Sequence, residues 1–213
     1  MFKRRGIMLI LSSPSGAGKT SISRTIMQQD DNIKLSVSVT TRPKRANEVD
    51  GVDYHFRSVD DFKHLVERGE MLEWAEVHGN YYGTPKAQIQ DQLEAGTDVL
   101  FDIDYQGALQ LYENCADDIV GIFVLPPSIK ELKHRLERRA DDNAEVINRR
   151  LKTARKELKA WEKYDYIIVN NDLGESCKTV SEIISAARIH SSRQADLPQF
   201  IKGLQEELES IIE

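Results

Sequence analysis

Four short apolar runs punctuate the chain, at 7–11, 97–104, 119–125 and 166–169. Each is too short for a buried helix and is bounded by polar or turn residues, so all four predict strands covered on both faces, as in a parallel sheet. The long stretches between them carry helical periodicity. Strands alternating with helices predict a doubly wound α/β fold, a mostly parallel sheet flanked by helices. Residues 34–41 alternate in strand fashion and end at Arg42-Pro43.

A helix is expected over 21–29. Asp50-Gly51 predicts a hairpin turn before 52–56, Ser58 and Asp61 a capping box opening a helix through 68, and Gly69 its end. A strand over 71–77 and a loop over 78–83 follow, and Thr84-Pro85 reads as the cap and start of a helix ending near Gly96. Ser128 and Glu131 cap a helix to about 140, a second covers 145–161, and helices near 175–190 and 197–212 close the chain. Residues 42–96 thus form a small mixed insertion in place of a regular crossover. With the strand before it, the expected division of this single domain is a core of 1–33, 97–126 and 161–213, an inserted α+β subdomain at 34–96 and a helical lid at 127–160.

Composition narrows the class. Of 213 residues 40% are hydrophobic and 30% charged, ordinary for a soluble globular chain, and no stretch approaches the ~18 apolar residues of a membrane span. The basic N-terminus precedes an apolar run too short for a signal peptide, so a cytosolic location is expected. Cys115 and Cys177 have neither disulfide-framework nor metal-ligand spacing. A net charge of −6 argues against a general nucleic-acid binder, although residues 130–159 hold 11 of the 29 Lys and Arg.

The chemistry begins where the first apolar run ends. Ser13-Pro14-Ser15-Gly16-Ala17-Gly18-Lys19-Thr20-Ser21 follows a strand and opens a helix, the setting of a phosphate-binding loop. Backbone N–H groups of 15–21 would cradle the phosphates of a nucleoside triphosphate, Lys19 would reach its β- and γ-phosphates, and the Thr20 hydroxyl would ligate Mg²⁺. Ser13 stands where the common pattern has its first glycine. Asp102, at the end of an apolar strand, suits the second Mg²⁺ role, partly through water; on local pattern alone it could equally cap the next helix. Arg42 and Arg45, three apart around a proline, can clamp a monophosphate with help from the Tyr54 and Tyr82 hydroxyls, or stand as solvated loop charges.

A phosphate loop does not by itself distinguish hydrolysis, transfer and sensing. Thr40-Thr41-Arg42-Pro43-Lys44-Arg45, Gly51-Val52-Asp53-Tyr54, Glu73-Trp74-Ala75 and Gly79-Asn80-Tyr81-Tyr82-Gly83-Thr84, with Asp102-Ile103-Asp104-Tyr105-Gln106-Gly107 and Asn170-Asn171-Asp172, form a series that resembles the guanylate kinases over nearly the whole chain. The resemblance implies ATP + GMP → ADP + GDP, with dGMP a further acceptor, Mg²⁺ as cofactor, small-molecule partners only and a homo-oligomer as an option. It implies a phosphate clamp of Arg42, Arg45, Tyr54 and Tyr82, and Ser38, Glu73, Thr84 and Asp104 around guanine. It also implies lid arginines Arg135, Arg139 and Arg150 on the transferring group, Arg138 flanking adenine and Asn170 beside the ATP base. Two other readings are a non-catalytic clamp module, disfavoured by an intact Lys19-Thr20-Asp102 set, and a kinase for another small phosphate ester, disfavoured by Glu73 and Asp104. Phosphoryl transfer is chiefly positioning and charge compensation, so no general base is assigned.

Overall fold

The structure, a computed structural model, describes residues 2–77, 79–103, 105–138 and 144–212. Its centre is β1 (Met8–Ser12), whose five residues are all buried. Around it β2 (Ile33–Leu35), β7 (Asp98–Phe101), β8 (Ile119–Leu125) and β9 (Tyr166–Val169) build a five-stranded sheet in the order β2-β7-β1-β8-β9, every pair parallel. Side chains leave a strand on alternate faces, and β1 shows the consequence. Ile7, Leu9 and Leu11 join one core with Ile22 and Ile26 of α1 (Lys19–Gln29) and Val180 and Ile184 of α7 (Leu173–Arg188). Met8 and Ile10 join another with Ile89 and Leu93 of α3 (Lys86–Glu94) and Leu111 of α4 (Tyr105–Cys115). The predicted doubly wound architecture is therefore observed.

Asp98 fastens this frame. Its fully buried carboxylate accepts from Arg4 (2.7 and 3.0 Å), from Arg188 (2.7 Å) and from the Ile7 amide (3.0 Å), tying the N-terminal segment and α7 to β7. A buried carboxylate is tolerated when guanidinium forks satisfy it in this way.

A second sheet, order β4-β3-β6-β5, combines β3 (Val39–Thr40), β4 (His55–Phe56), β5 (Met71–Val77) and β6 (Asn80–Pro85). Here four local expectations give way. Residues 34–41 are two strands in different sheets: the Ser36 amide still donates to Leu100 of the core (2.9 Å), whereas the Ser38 carbonyl accepts from His55 of the second sheet (2.9 Å). Alternation records burial on one face but not which partner supplies it. Asp50-Gly51 forms a turn, with Gly51 at φ +78°, but no hairpin, because β4 pairs with β3 in parallel. The expected loop at 78–83 is mostly β6, an antiparallel partner of β5. Thr84 lies in that strand and does not cap α3, whose N-cap is Pro85.

The capping boxes are as expected. Ser58 accepts from the Asp61 amide ahead of α2 (Val59–Glu67), and Ser128 from the Glu131 amide ahead of α5 (Ile129–Glu137). α5 packs on α6 (Ala144–Glu157) through Leu132, Leu136, Ala154, Ile147 and Leu151. A 3₁₀ segment, Leu158–Lys163, then continues to β9, so the helix expected over 145–161 is two elements. Finally α4 flanks the outer edge of β5: Gln110 accepts from the Trp74 amide (3.1 Å) and donates to its carbonyl (2.9 Å), and Asn114 donates to Leu72 (3.4 Å).

Candidate active site

Two clefts meet at the carboxyl end of β7. The first, about 320 Å³, is lined by Ser12, Ser13, Ser15, Gly16, Gly18, Lys19 and Thr20, together with Asp102, Ile103, Phe123 and Glu157. Gly16 and Gly18 hold φ of +96° and +110°, a left-handed conformation costly for any side chain with a Cβ. A Cβ at Gly18 would also collide with the Asn170 amide, and one at Gly16 would press on Leu132 and Leu136 of α5. The loop is therefore packed from behind, leaving its open side to the cleft. Lys19 pairs with Asp102 across that cleft. Thr20 and Ser21 open α1 on its exposed side, at the positive end of the helix dipole.

The loop's support comes partly from residues given other roles by the sequence. Asn170, 5% exposed, donates to the Ala17 carbonyl (2.8 Å) and accepts from Ser176 (3.0 Å), so both ends of its amide are engaged beneath the loop. Arg135 donates to the Asn170 carbonyl (3.1 Å), the Ala17 carbonyl (3.4 Å) and Glu131 (2.8 Å), docking α5 against the back of the loop. Arg138 is the exposed cap of α5 and Arg150 is half-buried in α6. Arg139 and the expected lid tip at 141–143 lie outside the described residues. Glu157, at the end of α6, accepts from the Ser15 amide (3.3 Å), which puts a carboxylate where the loop offers an anion site.

The second cleft, about 200 Å³, is lined by Ser38, Tyr54, Glu73, Ala75, Val77, Tyr82, Asp102 and Ile103. Asp102 and Ile103 thus form a wall common to both clefts. At one end Arg42 lies over the Tyr54 and Phe56 rings, 5.5 and 5.9 Å from their centroids, and Tyr54 packs edge-on to Tyr82. Glu48 holds Arg42 through two bonds (2.7 and 3.1 Å) and accepts from the Arg45 amide (2.8 Å). That pairing raises the Arg42 pKa and lowers that of Glu48, fixing both as charged. Burial raises the Tyr54 pKa, keeping its phenol a neutral donor. The Arg45 side chain is exposed.

At the other end lies Glu73, 5% exposed, paired across the β5–β6 ladder with fully buried Thr84. The Thr84 hydroxyl donates to Glu73 at 2.6 Å. Gly107, in the first turn of α4, leaves room for the other Glu73 oxygen, which a Cβ there would strike. A carboxylate over a helix N-terminus is favoured by the dipole. Asp104 lies outside the described residues.

Sequence reasoning missed Glu48, Glu157 and Ser176. Glu48 sat inside a charged turn with no periodicity to single it out, and Glu157 is an unmarked member of a charged helix. Among the described residues no group of three or more His, Cys, Asp or Glu side chains is arranged to hold a metal ion, and no helix is long and apolar enough to cross a membrane.

Comparison with known proteins is consistent across sequence and structure. The family model described as Guanylate kinase matches residues 5–187. Curated guanylate kinases of Chelativorans sp. (strain BNC1) and Rhizobium etli are each 51% identical to this chain, over 95% of it and 93% of the former and over 98% of it and 94% of the latter. The crystal structure of guanylate kinase from Anaplasma phagocytophilum superposes with a TM-score of 0.74 at 38% identity, covering 95% of this chain and 96% of that one.

Proposed function

Because the chain belongs to the guanylate kinase family, we propose that it transfers the γ-phosphoryl group of ATP to GMP, giving ADP and GDP, through the residues lining the two clefts. One observation carries the assignment of roles: Asp102 and Ile103 wall both clefts, so a triphosphate in one and a monophosphate in the other would meet beside Lys19.

In this reading the 15–21 backbone and Lys19 bind the ATP phosphates, and Arg42, Arg45, Tyr54 and Tyr82 bind the phosphate of GMP. The phosphoryl group moves directly between the two nucleotides, its bond to the ADP oxygen breaking as the bond to the GMP oxygen forms, while cations offset the charge on both sides. Mg²⁺ fits the donor set, since this ion keeps most of its water and needs only one or two protein oxygens beside the phosphates; Thr20 and Asp102 would supply them. When bound, Mg²⁺ neutralises charge on the β- and γ-phosphates. Glu73, with Thr84 and Asp104, reads guanine: an ionised carboxylate accepts from N1–H and the 2-amino group, whereas adenine has no donor at either place. Ser38 borders the same cavity.

The segments 34–96 and 127–160 act as acceptor-binding and lid subdomains around a rigid core, and their closure excludes water that would otherwise hydrolyse ATP. For Arg135 to reach the transferring group, its bonds to Ala17 and Asn170 must exchange on closure; Arg139 and Arg150 are the accompanying lid cations. Arg138 flanks adenine, dGMP serves as an acceptor because the guanine contacts do not involve the 2′-hydroxyl, and the enzyme works in the cytoplasm. The test is ADP formation with GMP, dGMP and AMP in the parent and in Glu73→Gln. GMP should exceed AMP in kcat/KM by on the order of 10⁴-fold, as expected of a site built to hydrogen-bond, and Glu73→Gln should narrow the gap. Equal use of AMP would refute the reading.

A further inference from the structure

Glu157, the last residue of α6, lines the cleft assigned above to ATP and accepts from the Ser15 amide at 3.3 Å. Asp102, which lines the same cleft, meets a cation, Lys19. Glu157 meets instead one of the peptide N–H groups with which a phosphate loop holds its ligand. The nearby Ala17 amide is committed to the turn itself, donating to the Pro14 carbonyl at 3.0 Å. At Ser15 the N–H is directed to the cleft side, and a carboxylate oxygen has the charge and lone pairs to stand there in place of a phosphate oxygen.

The geometry makes this contact a removable one. At 3.3 Å it lies just beyond the usual N–H···O range of about 2.7–3.2 Å, and Glu157 is only half-buried. The other end of the same connection is built differently. Glu157 and Tyr164 are the N- and C-caps of the 3₁₀ segment Leu158–Lys163, and the Tyr164 hydroxyl donates to Ser12 Oγ at 2.7 Å with both residues buried. Tyr164 also packs on Phe123, with ring centroids 5.2 Å apart. A neutral, buried bond is indifferent to an arriving anion, whereas a carboxylate in its path is repelled. The segment thus has one fixed and one releasable attachment to the loop.

We propose that Glu157 is an internal competitor of the donor phosphates: its carboxylate holds the Ser15 amide before nucleotide binds, and ATP expels it, freeing the C-terminal end of α6 from the loop. The inference rests on the assignment of this cleft to ATP. Expulsion gives ATP a direct effect on the lid, because α6 packs on α5 and α5 is docked behind the same loop by Arg135. The root of the lid then responds to the phosphates without any lid arginine touching the nucleotide.

Isothermal titration calorimetry of the full chain with ATP, ADP and GMP tests this. Glu157→Gln keeps the size of the side chain and removes its charge, so ATP should bind about fivefold tighter or more. ADP, with less charge, should tighten less, and GMP, whose cleft is lined by other residues, should bind unchanged. A side chain that merely supported the fold would give the opposite sign, weaker ATP binding with a lower Tm. Glu162→Gln alters an exposed carboxylate of the same 3₁₀ segment and should leave ATP affinity unchanged; equal tightening by it would reveal a long-range charge effect and overturn the proposal. Gly18→Ala separates this inference from the reading beneath it. If Gly18→Ala weakens ATP binding while Glu157→Gln leaves the affinity unchanged or lowers it, the competitor role falls and the ATP site stands. If neither variant changes ATP affinity, the cleft is not the donor site and both fall.

Discussion

Thr84→Val replaces one hydroxyl by a methyl of nearly equal size, at a fully buried position where that hydroxyl donates to Glu73 at 2.6 Å. A hydrogen bond to a charged group contributes about 1.5–3 kcal/mol, and burying the added methyl returns about 0.8 kcal/mol. The net cost is about 1–2 kcal/mol, or about 2–8 °C in Tm for a chain of this length. The kinetic effect should be more selective. Without the Thr84 donor, Glu73 turns to find another and loses its aim into the cleft that also contains Ser38 and Tyr82. If most of the lost bond energy is aim, KM for GMP rises about 5- to 30-fold while KM for ATP and kcat at saturating GMP stay within about twofold. Thr84→Ser keeps the hydroxyl and should recover the parent KM. Initial rates of ADP formation with each substrate varied in turn, with calorimetric titration of GMP, make the measurement. An unchanged GMP KM in a variant whose Tm has fallen would refute the claim that Thr84 sets the guanine reader; equal rises for both nucleotides would mean a general loss of fold.

Lys19→Met should leave the far-ultraviolet circular dichroism intact and lower kcat at least about a hundredfold, because the lysine acts on charge that peaks in transfer; near-normal turnover would remove it from the site. Gly18→Ala combines a left-handed φ with a collision on Asn170 and should raise KM for ATP about tenfold or more, whereas Gly69→Ala, at φ +67° with open space around its Cβ, should cost only about 1–2 kcal/mol of stability; matching kinetics in the two would show that loop geometry is not the cause. Glu48→Gln should raise KM for GMP and leave that for ATP unchanged. Since pairing with Arg42 lowers the Glu48 pKa, that pairing is complete above the ordinary carboxylate range and is lost only as pH falls through the lowered value. The ratio of GMP KM between parent and variant should therefore be flat from about pH 5 to 9, and an inflection within that window would contradict the pairing.

The sheet centre and phosphate loop were legible because their signals are local: an apolar run, then glycines where φ is positive, then helix. Asp102 was legible for the same reason, as a carboxylate immediately beyond a strand. Thr84 was misread because threonine before proline is a good helix opener, and only the cross-strand pairing with Glu73 reassigns its hydroxyl. The hydrogen bonds by which Asn170 and Arg135 brace the loop were not legible, since their shared partner Ala17 lies 153 and 118 residues away. Glu48 escaped notice although it holds Arg42 from six residues away, because a charged turn has no period to betray which charge is paired.

Gln110 and Asn114 give the second sheet a property that its strand count does not show. β5 is a seven-residue edge strand, long enough to recruit an extended segment of another chain through its unpaired peptide groups. A carboxamide carries the same donor and acceptor as a peptide bond, and Gln110 spends both on Trp74 while Asn114 meets the carbonyl of Leu72 two residues back, on the same edge. Two side chains from one helix thereby imitate a neighbouring strand. The edge is occupied at Leu72 and Trp74 without lengthening the sheet, which shortens the template that a nascent or misfolded chain arriving there could grow on.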